Sequence, residues 1–231
     1  MNRSIFRFAV VAFAFSMVVF ASPAKAIVMT FDIDGLNCWD NIPDTYGDNV
    51  TSQDMGAFHY GLGNGFTPNV TVDYRTLQVG GGGGGTIVDH LKFWKTDYGD
   101  LVAIAAPQEP RSTAEISLVP QAGWGVCLNS FDLAGWLRAD HLEQPLIVYD
   151  QNYNVLLDLS GLTVSGSSHT NVEPNLVYAG TLHIQYGDNY NVGIDNLNFD
   201  QVKVPEVSST LGLLGLTLAA IRVLKARSRN R

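Results

Sequence analysis

Only two cysteines, Cys38 and Cys127, occur in 231 residues. That scarcity excludes zinc ribbons and disulfide-dense mini-domains, which need many thiolates. Positive charge is also sparse where a domain would form. Fourteen Lys and Arg face 22 Asp and Glu, and eight of the fourteen lie at the ends: Arg3, Arg7, Lys25, Arg222, Lys225, Arg227, Arg229 and Arg231. Between Ile27 and Val204, 21 acidic side chains oppose six basic ones, a balance of −15. A body this acidic gains nothing from counterion release, so nucleic acid is excluded as a partner. No stretch from 27 to 204 sustains a 3.6-residue apolar period, which argues against a helical domain.

Catalytic signatures are missing as well. The five histidines (59, 90, 141, 169 and 183) form no His-x-x-His pair. No Gly-x-Ser-x-Gly frame surrounds a serine, and the glutamates at 109, 115, 143 and 173 form no paired-carboxylate motif. The glycines 80–85 are followed by Thr86-Ile87-Val88 rather than by Lys-Ser/Thr and a helix, so they read as a link between strands and not as a phosphate loop. Asp40, Asp44 and Asp48 lack the alternation and terminal Glu of an EF-hand and read as a turn-forming loop. The sequence therefore predicts no enzyme.

What is present is strand and turn. Short runs of Val, Ile, Tyr, Phe and Thr at 27–33, 55–60, 70–79, 86–94, 101–105, 113–119, 125–133, 145–149, 154–159, 176–186 and 191–202 are punctuated by Gly, Asn, Asp and Pro. That rhythm predicts an all-β, antiparallel sandwich or barrel as one domain over 27–203. Residues 1–26 read as a signal peptide, with Arg3 and Arg7 before the apolar run Phe8 to Phe20 and the small-x-small site Ala24-Lys25-Ala26. The alternative is an uncleaved anchor, for which 13 apolar residues are short. Export would permit a Cys38–Cys127 disulfide, worth up to roughly 4–5 kcal/mol in a chain-entropy account; two free thiols are the competing expectation.

At the other end Val204-Pro205-Glu206 precedes an apolar run, Thr210 to Ile221, and a tail with five positive charges. This order resembles the PEP-CTERM sorting signal, also known as the ice-binding protein C-terminal domain. It departs from that pattern at Val207, where a proline is usual, and in a short apolar run. The resemblance implies a signal over 204–231 whose transmembrane helix serves as a transient inner-membrane anchor. Signal peptidase would act at one end and an exosortase-type processing enzyme at the other, and the product would reach the cell surface or the extracellular space. An amphipathic terminal helix is the plainer alternative, although Gly, Leu, Thr and Ala on every face of 210–221 leave it no polar stripe.

The body carries looser similarity to jelly-roll domains akin to carbohydrate-binding modules. The residues concerned are Phe31-Asp32, Ile42-Pro43-Asp44-Thr45-Tyr46-Gly47, Val126 to Leu133, Val148-Tyr149-Asp150 and Val192 to Phe199. That resemblance implies neighbouring first and last strands. It also implies a structural Ca²⁺ held by Asp32 and Asp195, with Asp34 and backbone oxygens near Tyr46 and Gly47 as additions. Turn acids satisfied by backbone N–H groups are the alternative. Of the four tryptophans, Trp39 and Trp124 sit among polar or Gly turn residues and are candidates for stacking on sugar. The expected role is a non-enzymatic surface or matrix protein associated with exopolysaccharide. The alternatives are a carbohydrate-binding module with a defined glycan and, less favoured, a secreted hydrolase.

Overall fold

In β2 (Val70–Gln78) apolar and polar residues alternate, and in the computed structural model Val70, Val72 and Tyr74 are buried while Thr71, Asp73 and Arg75 are less so. Period two is how a strand buries one face and leaves the other to other partners. The structure describes residues 26–51, 65–78, 84–96, 98, 102–104, 112–142 and 145–204. The expected strand 55–60, signal residues 1–25, and the sorting segment from Pro205 onward lie outside the described residues, as do both flanking helices. Among the described residues no helix is long and apolar enough to cross a membrane.

The remaining strands are β1 (Ile27–Met29), β3 (Thr86–Asp89), β4 (Lys92–Trp94), β5 (Val102–Ile104), β6 (Ser112–Pro120), β7 (Trp124–Gly135), β8 (His141–Leu142), β9 (Leu146–Asp150), β10 (Val155–Asp158), β11 (Thr163–Val164), β12 (Thr170–Val172), β13 (Leu176–Tyr178), β14 (Leu182–Tyr186) and β15 (Val192–Lys203). One antiparallel sheet runs β10-β9-β14-β6-β2-β3. The other is built on β7 and β15: β12 and β13 line the free side of β7, while β5 and then β4 continue from β15, which also pairs with β1. β8 and β11 form a small two-stranded sheet.

A single apolar cluster fills the space between the two large sheets. Val72, Ile116, Leu118, Val148 and Ile184 come from the six-stranded sheet, and Val126, Leu128, Phe131, Leu133, Ile194, Leu197 and Phe199 from the other. Two sheets sharing one interior make a β-sandwich, as the strand rhythm predicts. Two expected strands are divided. The run 86–94 breaks at His90-Leu91. The run 176–186 breaks at Ala179-Gly180-Thr181 because its halves belong to different sheets: β13 pairs with β7, and β14 lies between β6 and β9. The glycine-rich link joins β2 to β3, which are antiparallel neighbours; residues 79–83 of it lie outside the described set.

The first and last strands are side by side, with Ile27, Val28 and Met29 opposite Phe199, Asn198 and Leu197. β15 is interrupted by a bulge at Asp195–Asn198, where Asn196 adopts a left-handed φ of 47°. An inserted residue of this kind resets the alternation, so Ile194 and Leu197 both reach the core. The bulge also marks a change of neighbour: β5 pairs with Gly193 and Ile194, whereas β1 pairs with 197–199.

Candidate functional site

The chain leaving β1 turns away from β15 at this fork, through Phe31 at φ 53°. Tyr46 closes the fork from the loop 42–50. Its ring is buried against Phe31, with centroids 5.5 Å apart, and its hydroxyl accepts the Phe31 N–H at 2.8 Å. Burial drives the Tyr46 phenol far above its ordinary range, and the charges of Asp32 and Asp195 push it further. Asp32 follows β1 and Asp195 sits at the bulge of β15, so the two principal residues of the expected calcium set lie on the two sides of the fork. Asp195 is buried and takes the Asn196 N–H at 2.7 Å, while Asp32 is exposed. Asp34 is exposed two residues further along. The donors at the fork are hard oxygens, which suit Ca²⁺, and the Tyr46 carbonyl accepts the Tyr74 hydroxyl at 2.5 Å. Among the described residues no three His, Cys, Asp or Glu side chains are grouped closely enough to hold a metal.

The two tryptophans singled out from sequence occupy different parts of the fold. Trp124 opens β7 opposite Lys203, whose ammonium lies 6.0 Å from the centre of its ring and covers it. Trp39 sits beyond the other end of the sheet, in the loop that runs along β4. Its N–H donates to the Phe93 carbonyl at 2.9 Å, and Asn41 bridges to Lys92. Trp39 is 43% exposed and held at a left-handed φ of 76°. Its ring meets Trp94 edge-to-face at 4.5 Å and Tyr190 at 6.2 Å, and Tyr190 meets Trp136 at 4.6 Å.

Local sequence explains this gathering. Phe93 faces the core, so strand alternation turns Lys92 and Trp94 to the outer face. On the same face Ala134 of β7 lies opposite Gly193 of β15, and this small pair leaves a floor on which rings can rest. Trp136 follows directly where β7 ends, anchored by its N–H to the Asn191 carbonyl at 2.8 Å. The Tyr98 hydroxyl donates to the Tyr190 carbonyl. One group is left over: the Trp94 indole N–H is buried with no hydrogen-bond partner, an arrangement that native interiors seldom tolerate.

A third cluster, absent from the sequence reading, lies on the outer face of the six-stranded sheet. Glu115 is fully buried there. One carboxylate oxygen accepts Ser117 Oγ at 3.3 Å and the Tyr153 hydroxyl at 3.2 Å, and the other accepts Gln185 Nε2 at 2.8 Å. His183 Nδ1 is 3.6 Å away and the Arg75 guanidinium 3.9 Å away. Tyr153 stacks on His183 at 4.5 Å and 10°. Burial alone would raise the Glu115 carboxyl, but His183, Gln185 and Tyr153 outweigh it and hold the acid below its usual range. Ser117, His183 and Glu115 have the composition of a nucleophilic triad but not its geometry. Ser117 Oγ, at 2.8 Å, and Glu115 approach the same ring nitrogen of His183, whereas a relay needs opposite nitrogens. A carboxylate saturated with donors and kept ionised is also a poor general acid.

The expected disulfide is corrected: Cys38 and Cys127 are free thiols. Cys38 lies in the loop along β4, and Cys127 is in β7, paired with Val177 and Asp200. β5 and β15 intervene between β4 and β7. Three strand spacings of about 4.8 Å give roughly 14 Å, twice the reach of a disulfide between Cα atoms. Burial and the Asp200 charge raise the Cys127 thiol above its ordinary range. No protein-family model and no curated protein matches the chain.

Proposed function

We propose that this chain is an exported, non-enzymatic surface or matrix protein whose body is a jelly-roll-like sandwich stabilised by Ca²⁺ and associated with exopolysaccharide. The observation that supports the reading is the fork between β1, β5 and β15, where the first and last strands pair, Asp32 follows β1, Asp195 sits at the β15 bulge and the Tyr46 hydroxyl accepts the Phe31 N–H. In the proposed role Asp32 and Asp195 hold the ion with help from backbone oxygens near Tyr46 and Gly47. The ion would supply charge neutralisation to an acidic body and pin the loop 30–47 to β15.

The ends complete the proposal. Residues 1–26 direct export, and 204–231, with Val204, Pro205 and Glu206 at its start, act as a membrane anchor removed by an exosortase-type enzyme. The test is intact-mass spectrometry of the protein recovered from culture medium. A species beginning at Ile27 and ending near Glu206 supports the proposal, and a full-length polypeptide in the cytosol refutes it.

The aromatic cluster of Trp39, Trp94, Trp136 and Tyr190 favours a second reading, a carbohydrate-binding module with a defined glycan, because a half-exposed indole offers a stacking face. The donor-saturated Glu115 supports a non-hydrolytic role over the secreted-hydrolase alternative.

A further inference from the structure

The six basic side chains of the body are not spread evenly. Lys92, Lys95 and Arg138, half of them, lie around the aromatic cluster. Lys92 shares the outer face of β4 with Trp94 and is engaged by Asp89 at 3.0 Å and by Asn41 at 2.6 Å. Lys95 follows Trp94 directly, and its ammonium reaches the Leu36 carbonyl at 3.0 Å, three residues before Trp39. Arg138 is exposed two residues after Trp136. Leu137 and Arg138 both hold left-handed φ angles of 55°, which turn the chain sharply where it rims the rings. Among the described residues neither Lys95 nor Arg138 has a carboxylate within ion-pair distance.

Among the described residues the acids of the same neighbourhood include Asp89, already paired with Lys92, and Asp40, Asp140 and Asp188; Asp97 and Asp100 lie outside the described residues. Asp40 accepts the backbone and side-chain N–H groups of Asn37, and Asp140 accepts the Gly166 N–H. In a body with a balance of −15, Lys95 and Arg138 are two exposed cations with no carboxylate partner among the described residues, close in sequence to the ring-bearing Trp94 and Trp136.

We infer that the Trp39–Trp94–Trp136–Tyr190 cluster is a binding site for an acidic saccharide chain, one ring of which stacks on Trp39 while carboxylates along the chain pair with Lys95 and with Arg138. This inference rests on the carbohydrate reading above and narrows it to uronate-bearing chains. Neutral sugars need only the aromatic face. The pair of unpaired cations adds selectivity for a carboxylate, because elsewhere the strongly acidic surface repels polyanions. The partnerless Trp94 N–H is the remaining element of the site. Trp39 packs against the Trp94 ring at 71° from an exposed position with a left-handed φ of 76°, and the inferred saccharide supplies the acceptor oxygen that the Trp94 N–H lacks.

The probes are hexagalacturonate and neutral cellohexaose, titrated into the mature body at low ionic strength with EDTA present and followed by tryptophan fluorescence and calorimetry. Hexagalacturonate binds and shifts the emission, cellohexaose binds at least tenfold more weakly, and the preference collapses near 1 M salt, where screening acts within about 3 Å. Trp39→Ala weakens hexagalacturonate by roughly tenfold or more, the scale of one aromatic contact. Lys95→Gln with Arg138→Gln removes the preference for the acidic chain while leaving the weak binding of the neutral one, and Trp94→Phe weakens both. The double variant changes only exposed positions, and an unchanged melting temperature certifies its fold. Equal binding of both oligomers, insensitive to Lys95→Gln/Arg138→Gln, refutes the acidic-ligand inference and leaves the carbohydrate reading standing. Absence of binding by either oligomer refutes both.

Discussion

Replacing Glu115 by Gln tests the network on the outer face of the six-stranded sheet. The substitution preserves shape but exchanges one acceptor oxygen for a donor. Either Gln185 Nε2 or the pair formed by Ser117 and the Tyr153 hydroxyl then faces an N–H₂ group. Hydrogen bonds to a charged acceptor contribute about 1.5–3 kcal/mol each, and breaking a buried charged pair costs about 3–5 kcal/mol. Because Arg75 is one-third exposed and 3.9 Å distant, its share is discounted for solvent screening. A loss of about 2–4 kcal/mol is expected, which moves the urea midpoint down by about 1–2 M for an m-value of about 2 kcal/mol/M.

The same variant has a pH signature. The folded pKa of Glu115 lies below its unfolded value, so its contribution is complete above the unfolded pKa and disappears as pH falls through the folded one. Asp48 and Asp200 are shifted upward, first by burial, and act in the opposite sense, gaining stability as pH falls. The difference between wild type and Glu115→Gln isolates the one group: the gap is widest at neutral pH and narrows below about pH 4, where free glutamate titrates. Urea denaturation at pH 7, 5 and 3.5 reads this directly. A variant within about 0.5 kcal/mol of wild type at pH 7, or a gap that widens in acid, would refute the shared-carboxylate account.

Two further outcomes are expected. Addition of EDTA to the calcium-loaded body lowers its melting temperature in scanning calorimetry, and Asp195→Asn abolishes the difference; identical transitions with and without EDTA would remove the metal site at the fork. Both cysteines titrate with a thiol reagent in the denatured protein without prior reduction, and a reducing agent leaves the melting temperature unchanged; fewer than two reactive thiols before reduction would contradict the strand order between β4 and β7.

The long strands were legible because their chemistry is local. β2 and β15 write burial into alternation, and Pro120 to Gly123, Asp150 to Asn152 and Tyr186 to Asn189 supply turns where the chain reverses. β8, β11 and β12 were not, since two or three residues among Ser, Gly and Asn are too few to show a period. Asp32 and Asp195 were reachable through resemblance. Trp39 was reachable through its polar surroundings, but its partners were not, because Trp94, Trp136 and Tyr190 come from three separate segments and meet only through the order β4-β5-β15-β7. Glu115 reads as a solvent-facing strand position. It is buried because β6 is central in its sheet, and His183, Gln185, Arg75 and Tyr153 close over it from three neighbouring segments.

The pairing of β1 with β15 has a geometric consequence for any attachment made through the ends of the sandwich. Val204 leaves from the Lys203 end of β15 and Ala26 leaves near Asp200, whereas Trp39 and Trp94 lie level with Ile194 and Asp195, and Trp136 and Tyr190 gather at the Val192 end. Nine residue steps from Lys203 to Ile194 at about 3.3 Å each separate Val204 from Trp39 by roughly 30 Å. A body held to a bead, a sensor chip or an envelope through Val204 therefore turns its indoles toward the bulk liquid, and a graft through Lys95 would bury them against the support.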